Sequence, residues 1–121
     1  MVEINLFRNA RDAIGVEPDH VVFREGERSD VMFAVVDGEI ALSQHGAVIE
    51  RVGPGGIFGE LGLIDDSPRS ASATVTMPSR IVRVDKAQFL YLVQEHPTFA
   101  LMVMGVMAER LRRSPAASVR D

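Results

Sequence analysis

Between Ile57 and Thr76 the chain reads IFGELGLIDDSPRSASATVT, and its densest chemistry lies there. Gly59 and Gly62 bracket Glu60-Leu61 at the start of what reads as a one-turn helix. Glycines at such places let backbone N–H groups approach an anion with no Cβ in the way. A helix N-terminus adds a favourable partial charge. Arg69 then offers a planar fork of donors matched to phosphate oxygens, and Ser70 adds a hydroxyl. Glu60 is the discordant member. A carboxylate repels phosphate, so it must face something else, most naturally a sugar hydroxyl. Singly, each piece also fits an ordinary turn in which Arg69 pairs with Asp65, Asp66 or Glu60. Jointly, backbone amides, an arginine, a serine and one carboxylate describe a ribose-phosphate site.

Other chemistries lack their residues. The sequence has no GxSxG, no GxxxxGK and no HExxH. Gly53, Gly55, Gly56 and Gly59 do not satisfy GxGxxG, because Phe58 stands where the third glycine must be. His20, His45 and His96 are scattered singly, without metal-ligand spacing. Cysteine is absent, so thiolate catalysis, disulfides and cysteine-held zinc are excluded. Asp65-Asp66 are adjacent carboxylates that point in different directions, as in a solvated turn. The expectation is a binding module with no catalytic residues, no metal and no catalytic cofactor.

The elements that must position this stretch are mostly strands. A chain of 121 residues with 46% apolar and 25% charged content is one globular domain with one real core. From Val21 onward, short apolar or alternating runs recur: VVF at 21–23, VMFAVV at 31–36, EIALSQ at 39–44, AVIERV at 47–52, SATVT at 72–76 and RIVRVD at 80–85. Between them stand Glu25-Gly26, Asp37-Gly38, His45-Gly46, Gly53-Pro54-Gly55-Gly56 and Met77-Pro78-Ser79, all read as turns. Asp-Gly between two strand-like runs predicts a hairpin. Short strands at near-even spacing predict a mainly β fold, an antiparallel β-roll or jelly-roll barrel. Leu6, Ala10, Ala13 and Ile14 predict a short helix within residues 1–15. Asp85 is the expected N-cap of a helix from about Lys86 to Glu95, stopped by Pro97. A second helix is expected from Pro97 or Thr98 to Arg113, ended by Pro115. Residues 1–113 thus form the domain, and 114–121 a flexible tail.

Phe58-Gly59-Glu60-Leu61-Gly62-Leu63, five residues, then Arg69-Ser70-Ala71-Ser72-Ala73 resembles the phosphate-binding cassette of cyclic nucleotide-binding domains. Such domains occur in catabolite activator proteins, protein kinase A regulatory subunits and cyclic-nucleotide-gated channels. Upstream, Val22-Phe23-Arg24-Glu25-Gly26-Glu27 and Met32-Phe33-Ala34-Val35-Val36-Asp37-Gly38 are similar to the family's first strand motif. Ser29 departs from it, standing where the family often has glycine or alanine. The resemblance covers roughly residues 5–113 and implies a β-roll flanked by helices. It implies that Glu60 accepts from the ribose 2′-OH and Arg69 pairs with the cyclic phosphate. Ser70 would donate to a phosphate oxygen, with the amides of Gly59, Leu61, Gly62 and Ala71 supplying the rest. Arg110 and Ser114 fall at positions that contact the base in catabolite activator proteins. Pro115 sits against the Ser114 assignment, and Arg110 either stacks on the purine or is solvated. Leu42 and Ile49 match positions lining the nucleotide pocket, or are ordinary core. The implied ligand is cAMP or cGMP, with cAMP favoured by the catabolite-activator likeness alone.

Residues 99–108, FALMVMGVMA, are apolar all round, where a helix covering one barrel should show one stripe. Gly105 and Ala100 permit close helix approach, and Met102, Val103, Met104 and Val106 make an adaptable surface. The expectation is a homodimer through this C-terminal helix, against the alternative of burial within one subunit. The run of ten is too short for the roughly 20 residues of a membrane span, and the N-terminus lacks the apolar core of a signal peptide. The chain is therefore expected in the cytoplasm, off the membrane. A net charge of −4 argues against nucleic acid as a partner. The eight residues after Arg113 leave no room for a helix-turn-helix. The resulting expectation is a small sensor acting on an unknown protein effector through its C-terminal helix. The alternative is the ligand-binding domain of a catabolite-activator-type regulator without its DNA-binding part.

Overall fold

The computed structural model describes residues 4–113. Ser114 and the expected tail lie outside the described residues. Six strands form one antiparallel sheet: β1 (Ile14–Val16), β2 (Val21–Phe23), β3 (Val31–Gln44), β4 (Ala47–Val52), β5 (Ile57–Phe58) and β6 (Ser72–Asp85). The order is β1-β6-β3-β4, with β2 on β6 and β5 on β3, and the sheet does not close. Three α-helices accompany it among the described residues: α1 (Leu61–Ile64), α2 (Lys86–Glu95) and α3 (Thr98–Arg113). This is the helix-flanked β-roll expected from the sequence.

Two predicted turns are not turns. Asp37-Gly38 lies within β3, and Met77-Pro78-Ser79 lies within β6. The two 14-residue strands pair from Val31↔Asp85 to Ser43↔Ser72, slipping register at Val35/Asp37, Asp37/Glu39 and Glu39/Ile40. A hairpin forms only when its flanking runs pair with each other. Here both halves of β3 pair with β6, so the Asp-Gly signal becomes a bulge. Gly38 takes φ +94, and a Cβ there would overlap the Ser79 side chain. Pro78 sits in the slipped stretch, where no ladder donor is needed. Arg80 ties the bulge to Asp37 at 2.6 Å. The bulges bend both long strands, and the bent ribbon rolls. His45-Gly46 is a true two-residue hairpin, joining Gln44 to Ala47.

The apolar run 31–35 is buried on both faces. Val31, Phe33 and Val35 point into an inner core with Phe23, Ile40, Leu42, Phe58, Ala73 and Ile81. Met32 and Ala34 point outward into a second core with Ile4, Phe7, Val82, Val84 and α3. The expected N-terminal helix is a single 3-10 turn at Asn5–Phe7, and residues 14–16 are strand. Ile4 and Phe7 anchor there, while Leu6 and Ile14 stay exposed, so the apolar residues do not share one helical face. Ile14 and Val16 are β-branched and find a partner in β6.

Both long helices keep their predicted bounds. The Asp85 side chain accepts from the Gln88 amide at 2.8 Å, and Gln88 Oε1 accepts from the Asp85 amide at 2.9 Å, a complete capping box. On α3, Phe99, Val103 and Val106 face the outer core. Val103 and Val106 therefore do not belong to a surface for a second chain. The opposite face leaves Leu101, Met104 and Leu111 exposed. No helix among the described residues is long and apolar enough to cross a membrane.

Candidate functional site

Strand β5 delivers Gly59, the turn of α1 follows, and a loop through Asp65 leads to Arg69. The Arg69 backbone is clamped on both sides: its amide donates to Glu27 and its carbonyl accepts from Gly26, each at 2.8 Å. The side chain then turns inward and is 7% exposed. Nη1 donates to the Gly59 carbonyl at 3.0 Å and Nη2 to the Val31 carbonyl at 2.9 Å. The guanidinium carbon lies 4.0 Å above the Phe23 ring, which itself packs against Phe33 and Phe58. Nε is buried with no partner among the described residues. Burial lowers the Arg69 pKa, while Asp30, Glu60 and Glu27 oppose the fall from a distance. The group stays protonated, as arginine does in proteins. Its direct contacts among the described residues are carbonyl dipoles and a ring face, with no ion pair to a carboxylate.

Gly59 makes this possible. Its φ is +75, and a Cβ there would stand 2.6 Å from Arg69 Nη1. Gly62 is needed for a different approach, since a Cβ would run into the Ser29 hydroxyl. That hydroxyl is itself buried and without a partner among the described residues. The Gly62 amide donates within the turn, to Gly59 at 3.2 Å.

Glu60 is 4% exposed and pairs with Arg110 Nη1. Arg110 reaches this point because it continues the buried stripe of α3, four residues after Val106 and seven after Val103. Its Nε and Nη2 grip the carboxylate of Glu50 at 2.9 and 3.1 Å, and Nη2 also donates to the Ile57 carbonyl at 2.6 Å. Burial pushes the Arg110 pKa down, but Glu50 and Glu60 outweigh it, and the net shift is upward. Arg110 is thus neither solvated nor free.

The remaining expected residues are spread around this centre. Ala71 and Leu42 are buried together in the inner core. Ser70 is exposed, and its carbonyl accepts from Gln44 Nε2 at 2.8 Å. Leu61 is half exposed beside Glu60, and Ile49 is 53% exposed at the extra position of the β3–β4 bulge. Ser114 lies outside the described residues. Glu50 was not foreseen, although β4 carried a signal. It lies across from Leu42, two residues before buried Val52 on the inward register, so its carboxylate interrupts an apolar face. Among the described residues no cluster of three or more His, Asp or Glu could hold a metal.

A buried cation with no ion pair among the described residues suits an anion, and a buried carboxylate suits a hydroxyl donor; the Gly59 carbonyl that holds Arg69 stands one residue before Glu60. The chain is similar to known proteins. The chain is 30% identical over 100 residues to the CRP-like cAMP-activated global transcriptional regulator of Mycobacterium tuberculosis, covering 78% of this chain and 45% of the relative. It thus spans under half the length of that relative. A solved structure from work on a cyclic-GMP-dependent signalling pathway in bacterial phytopathogenesis superposes with TM-score 0.77 at 29% identity, covering 91% of this chain and 94% of the other. The Thermus thermophilus catabolite activator protein superposes with TM-score 0.73 at 26% identity, over 83% of this chain and 49% of that one. The family model described as cyclic nucleotide-binding domain matches residues 14–96, which holds the cassette and the strands that carry it. The chain belongs to the cyclic nucleotide-binding domain family.

Proposed function

We propose that this chain binds a cyclic purine nucleotide, cAMP in preference to cGMP, and passes the binding event to a protein effector through α3. The observation that carries the reading is Arg69: a buried guanidinium held by two carbonyls, with Nε unpartnered among the described residues. The cyclic phosphate supplies the missing anion. Glu60 accepts from the ribose 2′-OH, Ser70 donates to a phosphate oxygen, and the amides of Gly59, Leu61, Gly62 and Ala71 are the further donors. Leu42 and Ile49 flank the pocket, and Arg110 and Ser114 close it from the helix side. The role is binding without catalysis, in the cytoplasm, with neither nucleic acid nor membrane as partner of this domain. The exposed face of Leu101, Met104 and Leu111 supports a homodimer through α3.

The relative from Mycobacterium tuberculosis favours a second reading of the context, in which this domain serves a larger transcription regulator. The neighbour from a cyclic-GMP-dependent pathway favours the other nucleotide. Calorimetric titration with cAMP, cGMP and linear 5′-AMP separates these. The expected order is cAMP, then cGMP, with 5′-AMP far weaker. Tighter cGMP binding reverses the base preference. Equal binding of 5′-AMP, or no binding at all, overturns the reading.

A further inference from the structure

Glu60 accounts for only one nitrogen of Arg110. The other two nitrogens lie on the two oxygens of Glu50, fork against fork. Among unmodified side chains only a carboxylate presents two acceptors matched to that fork. Glu50 stands on β4 with its side chain 19% exposed, and a second guanidinium from the last turn of α3, Arg113, lies 3.4 Å from it. Two cations from the end of the helix thus converge on one strand carboxylate, 60 residues from Arg110 in sequence.

The charges around the site set what each acid can do. Glu50 and Glu60 pair with Arg110 and Arg113, whereas Arg69 makes no ion pair among the described residues and feels Asp30, Glu60 and Glu27 only from a distance. A cyclic phosphodiester carries one negative charge and would give Arg69 the direct anionic partner it lacks among the described residues. Glu60 can turn toward a sugar hydroxyl without stranding Arg110 only while Glu50 keeps its grip. If Arg110 had Glu60 alone, ribose and arginine would compete for one carboxylate.

We infer that Glu50 is a positioning residue for nucleotide binding: it holds Arg110, and with it the last turns of α3, against the cassette, and so frees Glu60 for the ribose. The ribose part rests on the nucleotide reading above; the hold on the helix does not.

The test uses the whole chain and Glu50→Gln, with Glu50→Asp as the variant that keeps the charge. Hydrogen exchange without ligand should speed up at residues 106–113 by about tenfold or more in Glu50→Gln, with β3 and β6 unchanged. Glu50→Asp should recover part of the protection. In titrations, Glu50→Gln should weaken cAMP by about tenfold and 2′-deoxy-cAMP less, so that the preference for the ribose narrows. In an Arg110→Gln background the Glu50 change should add little. Unchanged exchange at 106–113 overturns the hold on the helix. Equal losses for both nucleotides, or the same loss with Arg110 already removed, overturn the positioning role. A wild-type chain that binds no cyclic nucleotide overturns the ribose part and the nucleotide reading together, and the exchange result still decides the hold.

Discussion

At the scale of single residues, Arg69 concentrates the binding argument. A guanidinium at 7% exposure, seated on two carbonyls and a phenyl face, is costly unless an anion completes it. Replacing it with alanine removes the cation proposed for the phosphate. Breaking such a buried charge pair costs roughly 2–5 kcal/mol, or about 30- to several-thousand-fold in affinity. Calorimetry on Arg69→Ala should show that loss with the fold retained, and wild-type affinity would place the phosphate elsewhere. Gly59→Ala tests the same centre from the backbone. The new Cβ meets Arg69 Nη1 in a left-handed backbone, so stability should fall by about 1–3 kcal/mol in denaturant melts. Nucleotide affinity should fall with it, because Arg69 must move. The glycine's need was legible in the motif, but the close approach of a side chain ten residues later was not.

At the scale of elements, α3 has two faces with different work. One carries Phe99, Val103, Val106 and Arg110, three apolar anchors and then an ionic one. The other leaves Leu101, Met104 and Leu111 in solvent, an apolar strip of the kind that a second copy would cover. Met104→Glu should therefore reduce self-association in sedimentation at high concentration while leaving the melting temperature within a degree or two. Val106→Glu should instead unfold the domain, because it puts a charge into the outer core. A monomeric wild type at every concentration would remove the dimer. The all-round apolarity of residues 99–108 was plain in the sequence; which half faced inward was set by the strands beneath it.

At the scale of the whole molecule, the two cores share one sheet. The inner core carries the cassette side and the outer core carries α3, with β3 and β6 contributing alternate residues to each. The site spans both, since Arg69 is seated on inner-core phenyl rings and Arg110 arrives from the outer helix. A ligand touching both should stabilise the whole domain. At 100 times its dissociation constant, cAMP should add about 2.7 kcal/mol, a rise of roughly 10 °C in melting temperature for a domain this size. Thermal melts should show that rise in wild type and lose most of it in Arg69→Ala. An equal rise in the variant would mean the nucleotide stabilises some other part of the surface.

What the sequence by itself determined was local. Asp85 with Gln88 starts α2, Pro97 ends it, His45-Gly46 closes a hairpin, and the GELGL cassette with Arg69-Ser70 marks the family. Each of these signals acts through bonds between residues a few places apart, so a linear reading can see it. The tertiary structure decided the rest. Asp37-Gly38 and Met77-Pro78-Ser79 look like turns, yet the strands run through them because their partners lie some 40 residues away. The N-terminal segment gives up its helix because β6 offers an edge to pair with and the outer core takes Ile4 and Phe7. Glu50 acquires its partner only when β4 and the end of α3 are brought together, and an ion pair across that distance leaves no periodicity in the chain to announce it.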